Sequence, residues 1–304
     1  FATGPETINA SSRIETESYG LYGQLRVKPV RALTLIAGGR LSWYEAVAHN
    51  RRTDISESNG KTTGYFTPYG AAVFDISSTM SLYGSYSANF APQTELTVAG
   101  RVLAPRIGSQ VELGVKAAWL DGQLNAYVAA YRIIDRNRAI SDPDNDGFFI
   151  AAGKVRAQGF ETEISGALTA NWNLSTGYTY TETAFLAGDD GEVGQPFSTT
   201  TPKHIFKFWT HYTLPDDVAR GLEIGAGLRI ASKFYSQTGL IRRQANGYAV
   251  ASAQIAYPVH RNVKLSLNVE NLFDRRYYER VGTATSLNQY GAPRNVTLSL
   301  RGTF

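Results

Sequence analysis

Strict alternation of apolar and polar residues over long segments limits what this chain can fold into more than any other feature. Between Val263 and Val269 every second residue is apolar. The pattern recurs in residues 110–119, 160–168, 172–180 and 222–230. Successive side chains of a β-strand point to opposite faces, so each segment has one apolar and one polar face. No comparable 3.6-residue period occurs, and the sequence therefore predicts an all-β fold with almost no helix.

The predicted strands are long for a soluble sheet. Many exceed the roughly 5–6 residues usual in soluble sheets and reach the roughly 9–11 residues that cross a tilted bilayer span. About thirteen are expected, at residues 16–29, 32–48, 63–76, 80–90, 108–120, 122–135, 155–169, 172–184, 203–214, 220–233, 246–258, 262–272 and 293–304. Strand length favours a membrane β-barrel over a soluble sandwich.

The predicted connections alternate between short and long. Short ones lie at 29–31, 77–79, 120–122, 170–171 and 258–261, with a somewhat longer one at 214–219. Long polar ones lie at 49–62, 91–107, 136–154, 185–202, 234–245 and 273–292. Outer-membrane barrels have short turns on one side and long loops on the other, whereas a soluble sandwich has no reason to sort its loops. The sequence thus predicts an antiparallel transmembrane β-barrel of the bacterial outer membrane.

Composition excludes several other classes. No apolar run approaches the roughly 18 residues of a spanning helix. The chain has no Cys, so disulfides and thiolate metal sites are excluded. The net charge of +4 comes without a dense basic run, which argues against nucleic-acid binding. The four His residues lack metal-ligand spacing, and no catalytic grouping is visible, so an enzyme is not expected.

An odd number of strands raises a question of closure. Uniform antiparallel pairing around a barrel requires an even number. Either the count is wrong by one, or the chain is part of a larger barrel. Residues 1–15 resemble a loop, which favours the second interpretation. The last strand, which ends at Phe304, carries an apolar face that we expect to contact lipid.

Several motifs resemble the TonB-dependent outer-membrane receptors. The stretch 268–278 reads Asn-Val-Glu-Asn-Leu-Phe-Asp-Arg-Arg-Tyr-Tyr, which is similar to the penultimate-strand motif of that family. Residues 290–296 and the terminal Phe304 resemble the family's last strand. Residues 201–204 and 159–163 resemble other parts of it. The most similar branch is the ferric-siderophore receptors of the hydroxamate and pyoverdine type.

This resemblance implies a 22-stranded barrel with an N-terminal plug and a TonB box, neither of which is visible in the sequence. Residues 1–304 would then be the C-terminal portion of the barrel. The implied function is energy-coupled uptake of a ferric siderophore as the transported ligand, with no intrinsic cofactor. The implied partners are the siderophore, TonB through the absent N-terminal region, and outer-membrane lipid and lipopolysaccharide around a monomer. The alternatives are a passive porin or structural barrel, and a TonB-dependent receptor for another ligand.

Aromatic and Arg side chains near the long loops are the candidate ligand contacts. Most aromatic residues near strand ends are expected in the interfacial girdles, and a minority in the lumen. If Leu41 and Trp43 face lipid, alternation directs Tyr44 inward. A bulky, partly anionic chelate suits aromatic rings and forked guanidinium donors. The candidates are Tyr44, Phe90, Arg106, Tyr235, Arg242 and Tyr290. Each Arg has an alternative role as a solvated loop charge or a lipopolysaccharide contact.

Two further sets of charges stand out. The polar faces carry charges that we expect in the lumen, paired across strands, facing a plug or simply hydrated: Glu112, Lys116, Glu161, Glu163, Arg229, Lys264 and Glu270. Asp142, Asp144 and Asp146 with Gly147 match the first half of a calcium loop. Gly153 stands where the bidentate Glu belongs, and this composition also suits an ordinary turn, which we favour.

Overall fold

A computed structural model describes residues 12–50, 55–219, 221–283 and 286–303. Those residues form β1 Ser12–Val30, β2 Leu33–Asn50, β3 Ile55–Asp75, β4 Met80–Ala91, β5 Arg106–Trp119, β6 Leu124–Ser141, β7 Phe149–Thr169, β8 Trp172–Ala187, β9 His204–Thr213, α1 Asp216–Ala219, β10 Glu223–Ala231, β11 Phe234–Thr238, β12 Ile241–Ala245, β13 Tyr248–His260, β14 Val263–Glu270, β15 Tyr278–Arg280, β16 Gln289–Tyr290 and β17 Asn295–Gly302. Within these residues no helix has the length and apolar character needed to cross a membrane.

Thirteen strands form one antiparallel sheet whose order follows the chain: β1 to β10, then β13, β14 and β17. Each strand pairs with its predecessor, so the sheet is a continuous meander. The all-β, antiparallel prediction and the expected number of strands are confirmed. The remaining strands form two small hairpins, β11 with β12 and β15 with β16, inside the last two long connections.

Several strand ends differ from the prediction. Residues 12–15 belong to β1, so interpreting them as loop was wrong, while residues 1–11 and Phe304 lie outside the described residues. The predicted loops at 49–62 and 136–154 are largely strand, because β2 continues to Asn50 and β6 to Ser141. Both faces of these extensions carry polar residues, so the apolar alternation stops while the backbone ladder continues.

One face of the sheet is a continuous apolar surface. Cross-strand pairing places Ile224 beside Ile255, Ile255 beside Leu267, and Leu267 beside Leu298. Farther along the same face, Leu82 pairs with Val115 and Val115 with Val128. Large side chains on this face are exposed, for example Leu113 at 58%. An exposed apolar surface this extensive is the lipid-facing belt of a barrel, as the alternation predicted.

The opposite face is polar, and all seven charges predicted for the lumen lie on it. Glu112 accepts a hydrogen bond of 2.5 Å from the Tyr83 hydroxyl, and the Lys116 ammonium lies 4.5 Å from the Tyr83 ring centroid. Lys264 Nζ donates to both Glu223 oxygens at 2.7 Å. Cross-strand pairing was therefore a correct expectation for part of this set.

The large lumenal side chain of Trp209 packs over two glycines of the neighbouring strand, Gly225 and Gly227. Trp209 on β9 lies directly beside Gly227 on β10, and Gly225 follows one step away on the same face. A Cβ atom added to Gly225 would come within 2.8 Å of the Trp209 ring. The indole can lie flat on the sheet only because these positions have no side chain.

Candidate functional site

The candidate site lies at the long-loop end, where the two small hairpins pack on the polar face of the sheet. Phe234 of β11 and Ala245 of β12 meet Ala231, Tyr248 and Val281 in a buried cluster. The Arg243 guanidinium donates a 2.9 Å hydrogen bond to the Ser286 carbonyl, which links the β11–β12 hairpin to the connection after β14. Apolar packing therefore fixes the position of both hairpins relative to the barrel wall.

The motif at 271–274 acts as a clamp for the last long connection. Asn271 is buried, and its φ of 49° lies in the left-handed region that Asn tolerates better than most residues. Its Oδ1 accepts from the Arg275 amide at 2.7 Å, while its Nδ2 donates to the Arg275 and Ala292 carbonyls at 2.9 and 3.0 Å. Asp274 Oδ1 accepts from the Arg294 amide at 3.0 Å. The motif thus fixes both ends of the connection with side-chain hydrogen bonds.

Two of the predicted ligand contacts, Tyr235 and Arg242, lie together on the β11–β12 hairpin. The Arg242 guanidinium carbon is 3.7 Å from the Tyr235 ring centroid. Arg242 Nη2 also donates to Gln244 Oε1 at 3.3 Å. This pair presents an aromatic face and a cation at one point.

A cavity of about 310 Å³ opens beside this pair, between the hairpin and the connection that follows β8. Its wall includes the cations Lys203, Lys233 and Arg242. It also includes the hydroxyl groups of Thr181, Thr183, Ser198, Thr199 and Thr201. Tyr235 and Phe234 provide its aromatic surface. The lining contains no Asp or Glu among the described residues. The chemistry of the cavity suits a ligand that carries negative oxygen atoms and flat apolar surface.

Sequence reasoning missed Lys203 and Lys233 because isolated lysines carry no periodic signal. His204, which lacks metal-ligand spacing in the sequence, also borders the cavity. Its ring turns to the outward face of the sheet, where its Nδ1 lies 2.7 Å from the Tyr178 hydroxyl and its ring 5.0 Å from the Tyr180 ring. The resemblance noted at residues 201–204 was the one available signal for this part of the wall. That resemblance indicated membership of the family, but it did not connect residues 201–204 with a binding site.

The other predicted contacts lie elsewhere. Tyr44 lies on the polar face, opposite Trp43, which stacks on Tyr19 with ring centroids 5.3 Å apart. Phe90 follows the alternation of Leu82 and therefore lies on the apolar face of β4. The structure does not bring these two residues into the cavity.

Arg106 belongs to a separate cluster of charges on the polar face. Its Nη2 lies 2.6 Å from Asp135 Oδ2, which also accepts from Arg138 Nη1 at 2.8 Å. Arg138 in turn lies 4.7 Å from the Phe197 ring centroid. One carboxylate therefore balances two guanidinium groups, and Arg106 is held away from the cavity wall.

Tyr290 stacks on Tyr278 in the second hairpin, with ring centroids 4.6 Å apart and hydroxyl oxygens 3.1 Å apart. That hydrogen bond raises the pKa of the Tyr290 hydroxyl. Burial and then the Glu279 carboxylate raise the pKa of neighbouring Tyr277, while Arg229 partly opposes them. Tyr277 and Tyr290 therefore stay neutral at ordinary pH and offer ring surface and hydroxyl groups at the barrel rim.

The acidic stretch at 142–146 forms a turn. Asp142 Oδ1 accepts from the Asp144 amide at 3.0 Å, and its Oδ2 accepts from Asn145 Nδ2 at 3.1 Å. The described residues contain no group of three or more His, Asp or Glu side chains placed to hold a metal ion. Asp146, the third calcium candidate, lies in the same turn. The turn that the sequence favoured is therefore present.

Comparison with known proteins places the chain among outer-membrane receptors. Residues 2–272 match the family described as TonB dependent receptor-like, beta-barrel. The ferric-pyoverdine M114 receptor PbuA of Pseudomonas sp. strain M114 is 36% identical over 95% of this chain and 36% of its own length. The ferripyoverdine receptor of Pseudomonas aeruginosa PAO1 is 31% identical, with the same two coverages.

A solved structure gives the same result. The crystal structure of the P. aeruginosa ferripyoverdine receptor bound to ferripyoverdine superposes with a TM-score of 0.82 at 28% identity, covering 95% of this chain and 39% of that one. The chain thus spans a little over a third of the length of the relatives it matches.

Proposed function

The chain belongs to the TonB-dependent receptor β-barrel family, and we propose that it forms part of the barrel of an outer-membrane receptor that binds ferric siderophores and takes them up by energy coupling. The apolar belt supports insertion in the outer membrane, and the sorted connections support an extracellular position for the long loops. The relatives named as ferric-pyoverdine receptors support a ferric siderophore of that class as the ligand.

The observation that carries the proposal is the cavity beside Tyr235 and Arg242. A ferric chelate of the hydroxamate or pyoverdine type presents negative oxygen atoms around the metal. Lys203, Lys233 and Arg242 supply the opposite charge, and Arg242 is already oriented by the Tyr235 ring. No Asp or Glu lines the cavity among the described residues, and the nearest carboxylate to these cations is Glu182, whose Oε1 lies 3.8 Å from Lys203 Nζ. The iron arrives within the chelate, so this chain needs no metal ligands of its own.

The proposed partners beyond the ligand follow from the lumenal face. Glu163 and Glu270 make no ion pair within the described part of the chain, so we infer that they face water or the basic groups of a plug. TonB would act through a region that lies outside residues 1–304, and the barrel would be monomeric in a lipid and lipopolysaccharide environment. A passive porin or structural barrel would need no such plug contacts and no energy coupling.

Ligand titration of the intact receptor that contains this chain tests the proposal. Tryptophan quenching should report binding of a ferric pyoverdine, with weaker binding of the iron-free form. Replacing both Tyr235 and Arg242 with Ala should weaken binding about tenfold or more, since a cation over a ring and its ionic contacts contribute on the order of 1–2 kcal/mol. The matched control is Arg280→Gln, on the exposed edge of the other hairpin.

The outcomes separate the alternatives. Equal affinity for a maltodextrin or a cobalamin, with none for ferric siderophores, would remove the ligand class. Free diffusion of small solutes through the intact protein, independent of TonB, would favour the porin. Binding that is identical in the double variant and the Arg280→Gln control would leave the receptor function intact but remove this cavity as its site.

A further inference from the structure

Four cations form a compact patch on the outward face of β6 and β7. Arg132 and Arg136 lie on β6, and Lys154 and Arg156 lie on β7. Arg136 pairs directly with Lys154 across the two strands. Neighbouring strands are roughly 4.8 Å apart and alternate residues roughly 6.6 Å apart, so the four charges occupy a small area. We name this set the β6–β7 cationic patch.

The patch begins one step beyond the lipid-facing belt. Ala130 pairs with Leu113 and with Phe160, all on the apolar face. Arg132 is the next residue of β6 on that face, toward the long loops, and it pairs with Val111. Arg136 lies roughly 13 Å farther along the strand than Arg132. The patch therefore lies at the level where lipid headgroups of the outer leaflet meet the barrel, on its outside.

No ion pair within the described residues neutralises the charge of this patch. Arg132 Nε donates to the neutral Gln158 at 3.2 Å, and no described carboxylate forms an ion pair with any member of the patch. Arg156 Nε is buried and has no hydrogen-bond acceptor among the described residues. An unsatisfied buried donor is unusual in a native structure, and the Arg156 guanidinium thus keeps its charge without a described acceptor at Nε.

The neighbouring carboxylates do not compensate the patch. Asp135 belongs to the same strand but lies on the polar face, where Arg106 and Arg138 hold it. Glu182 lies beside Gln158 on the outward face, with Lys203 Nζ 3.8 Å from its Oε1. Four cations against one paired carboxylate leave an excess of positive charge on the outward face of the strands β6 to β8, next to the apolar surface in lipid.

We propose that the β6–β7 cationic patch binds the phosphate groups of lipopolysaccharide in the outer leaflet. Phosphate oxygens accept forked hydrogen bonds from guanidinium groups, and a headgroup with more than one phosphate can contact both strands at once. Its acyl chains would continue over Leu113 and Phe160, so one molecule engages the patch and the belt together. The assignment rests on the proposed outer-membrane location and is independent of the siderophore.

Delipidated, intact receptor provides the test. Native mass spectrometry would measure retention of purified lipopolysaccharide, the same glycolipid after removal of its phosphates, and phosphatidylglycerol, with inorganic phosphate as a competitor. The patch variant replaces Arg132, Arg136, Lys154 and Arg156 with Gln. The matched control replaces four cations near the short turns with Gln: Lys28, Arg31, Arg261 and Arg301.

The control should bind lipopolysaccharide as the unmodified receptor does, while the patch variant should bind at least about tenfold more weakly, given the strength of basic clusters at anionic surfaces. Removal of the phosphates should have a similar effect. A third variant with Lys at the three Arg positions should recover much of the binding. The heat-modifiable gel shift and siderophore binding of the patch variant should be unchanged, which separates this proposal from the function above.

Three results would overturn the assignment. The first is an equal loss of lipopolysaccharide binding in the patch variant and the short-turn control, or no loss in either. The second is undiminished binding of the dephosphorylated glycolipid. The third is binding of phosphatidylglycerol or inorganic phosphate as tight as that of lipopolysaccharide, which would make the patch a general anion site.

Discussion

The lipid-facing assignment of the apolar belt predicts a depth-dependent penalty for charge. Leu113 lies near the middle of β5, 58% exposed, and is flanked on the same face by Gly84 and Ala130. Leu113→Arg places a guanidinium in the hydrocarbon region, which costs about 2–4 kcal/mol at the midplane of a barrel. That corresponds to a reduction of roughly 30- to 700-fold in the ratio of folded to unfolded protein. Ala117→Arg, nearer the short-turn end of β5, should cost only about 0–1 kcal/mol.

Gln110→Arg is the control on the opposite face of the same strand. Gln110 Nε2 donates to Glu112 Oε2 at 3.0 Å in the lumen, and Arg can keep that contact. Guanidinium-induced unfolding of the intact receptor in lipid vesicles, followed by tryptophan emission, would give the free energies. Equal losses for Leu113→Arg and Gln110→Arg, or a larger loss for Ala117→Arg than for Leu113→Arg, would refute the assignment of faces.

Three further predictions concern packing, the clamp and pH. Gly225→Ala should cost about 1–3 kcal/mol of unfolding free energy because the new methyl group meets Trp209, whereas Gly84→Ala, with its nearest neighbour at 3.7 Å, should be nearly neutral; similar values would disprove the contact. Asn271→Ala should cost about 1–3 kcal/mol and speed amide exchange throughout residues 271–294, and unchanged exchange would show that the clamp is unnecessary. Because the pKa of Tyr277 is raised, its contribution to folding is complete below the ordinary value of about 10 and is lost as pH rises through the higher folded value. In an ultraviolet titration of tyrosinate, the Tyr277→Phe variant should therefore lack one tyrosine that ionises above pH 10 in the unmodified protein. Loss of a tyrosine that ionises at lower pH would contradict the raised pKa of Tyr277.

Local signals predicted the barrel wall well. Period-two alternation identified every strand of the main sheet, because lipid on one side and water on the other impose opposite chemistry on successive residues. The same argument directed Tyr44 away from the belt and the seven predicted charges toward the lumen. It failed where strands extend past the belt, as at residues 136–141, because both faces are wet there and the alternation disappears.

The residue pattern was sufficient to predict the class of fold, the two faces of the sheet and the sorting of short and long connections. The motif at 271–274 was also recognisable in the sequence, but its role in clamping the last long connection was not. Which long-loop residues meet depends on how the loops pack in three dimensions. Tyr235 and Arg242 could be nominated from residue type, but Lys203 and Lys233 join them only because the β11–β12 hairpin folds back against the wall. Residue alternation acts between neighbours along a strand, whereas a cavity depends on packing between segments distant in the chain, and that packing leaves no periodic trace in the sequence.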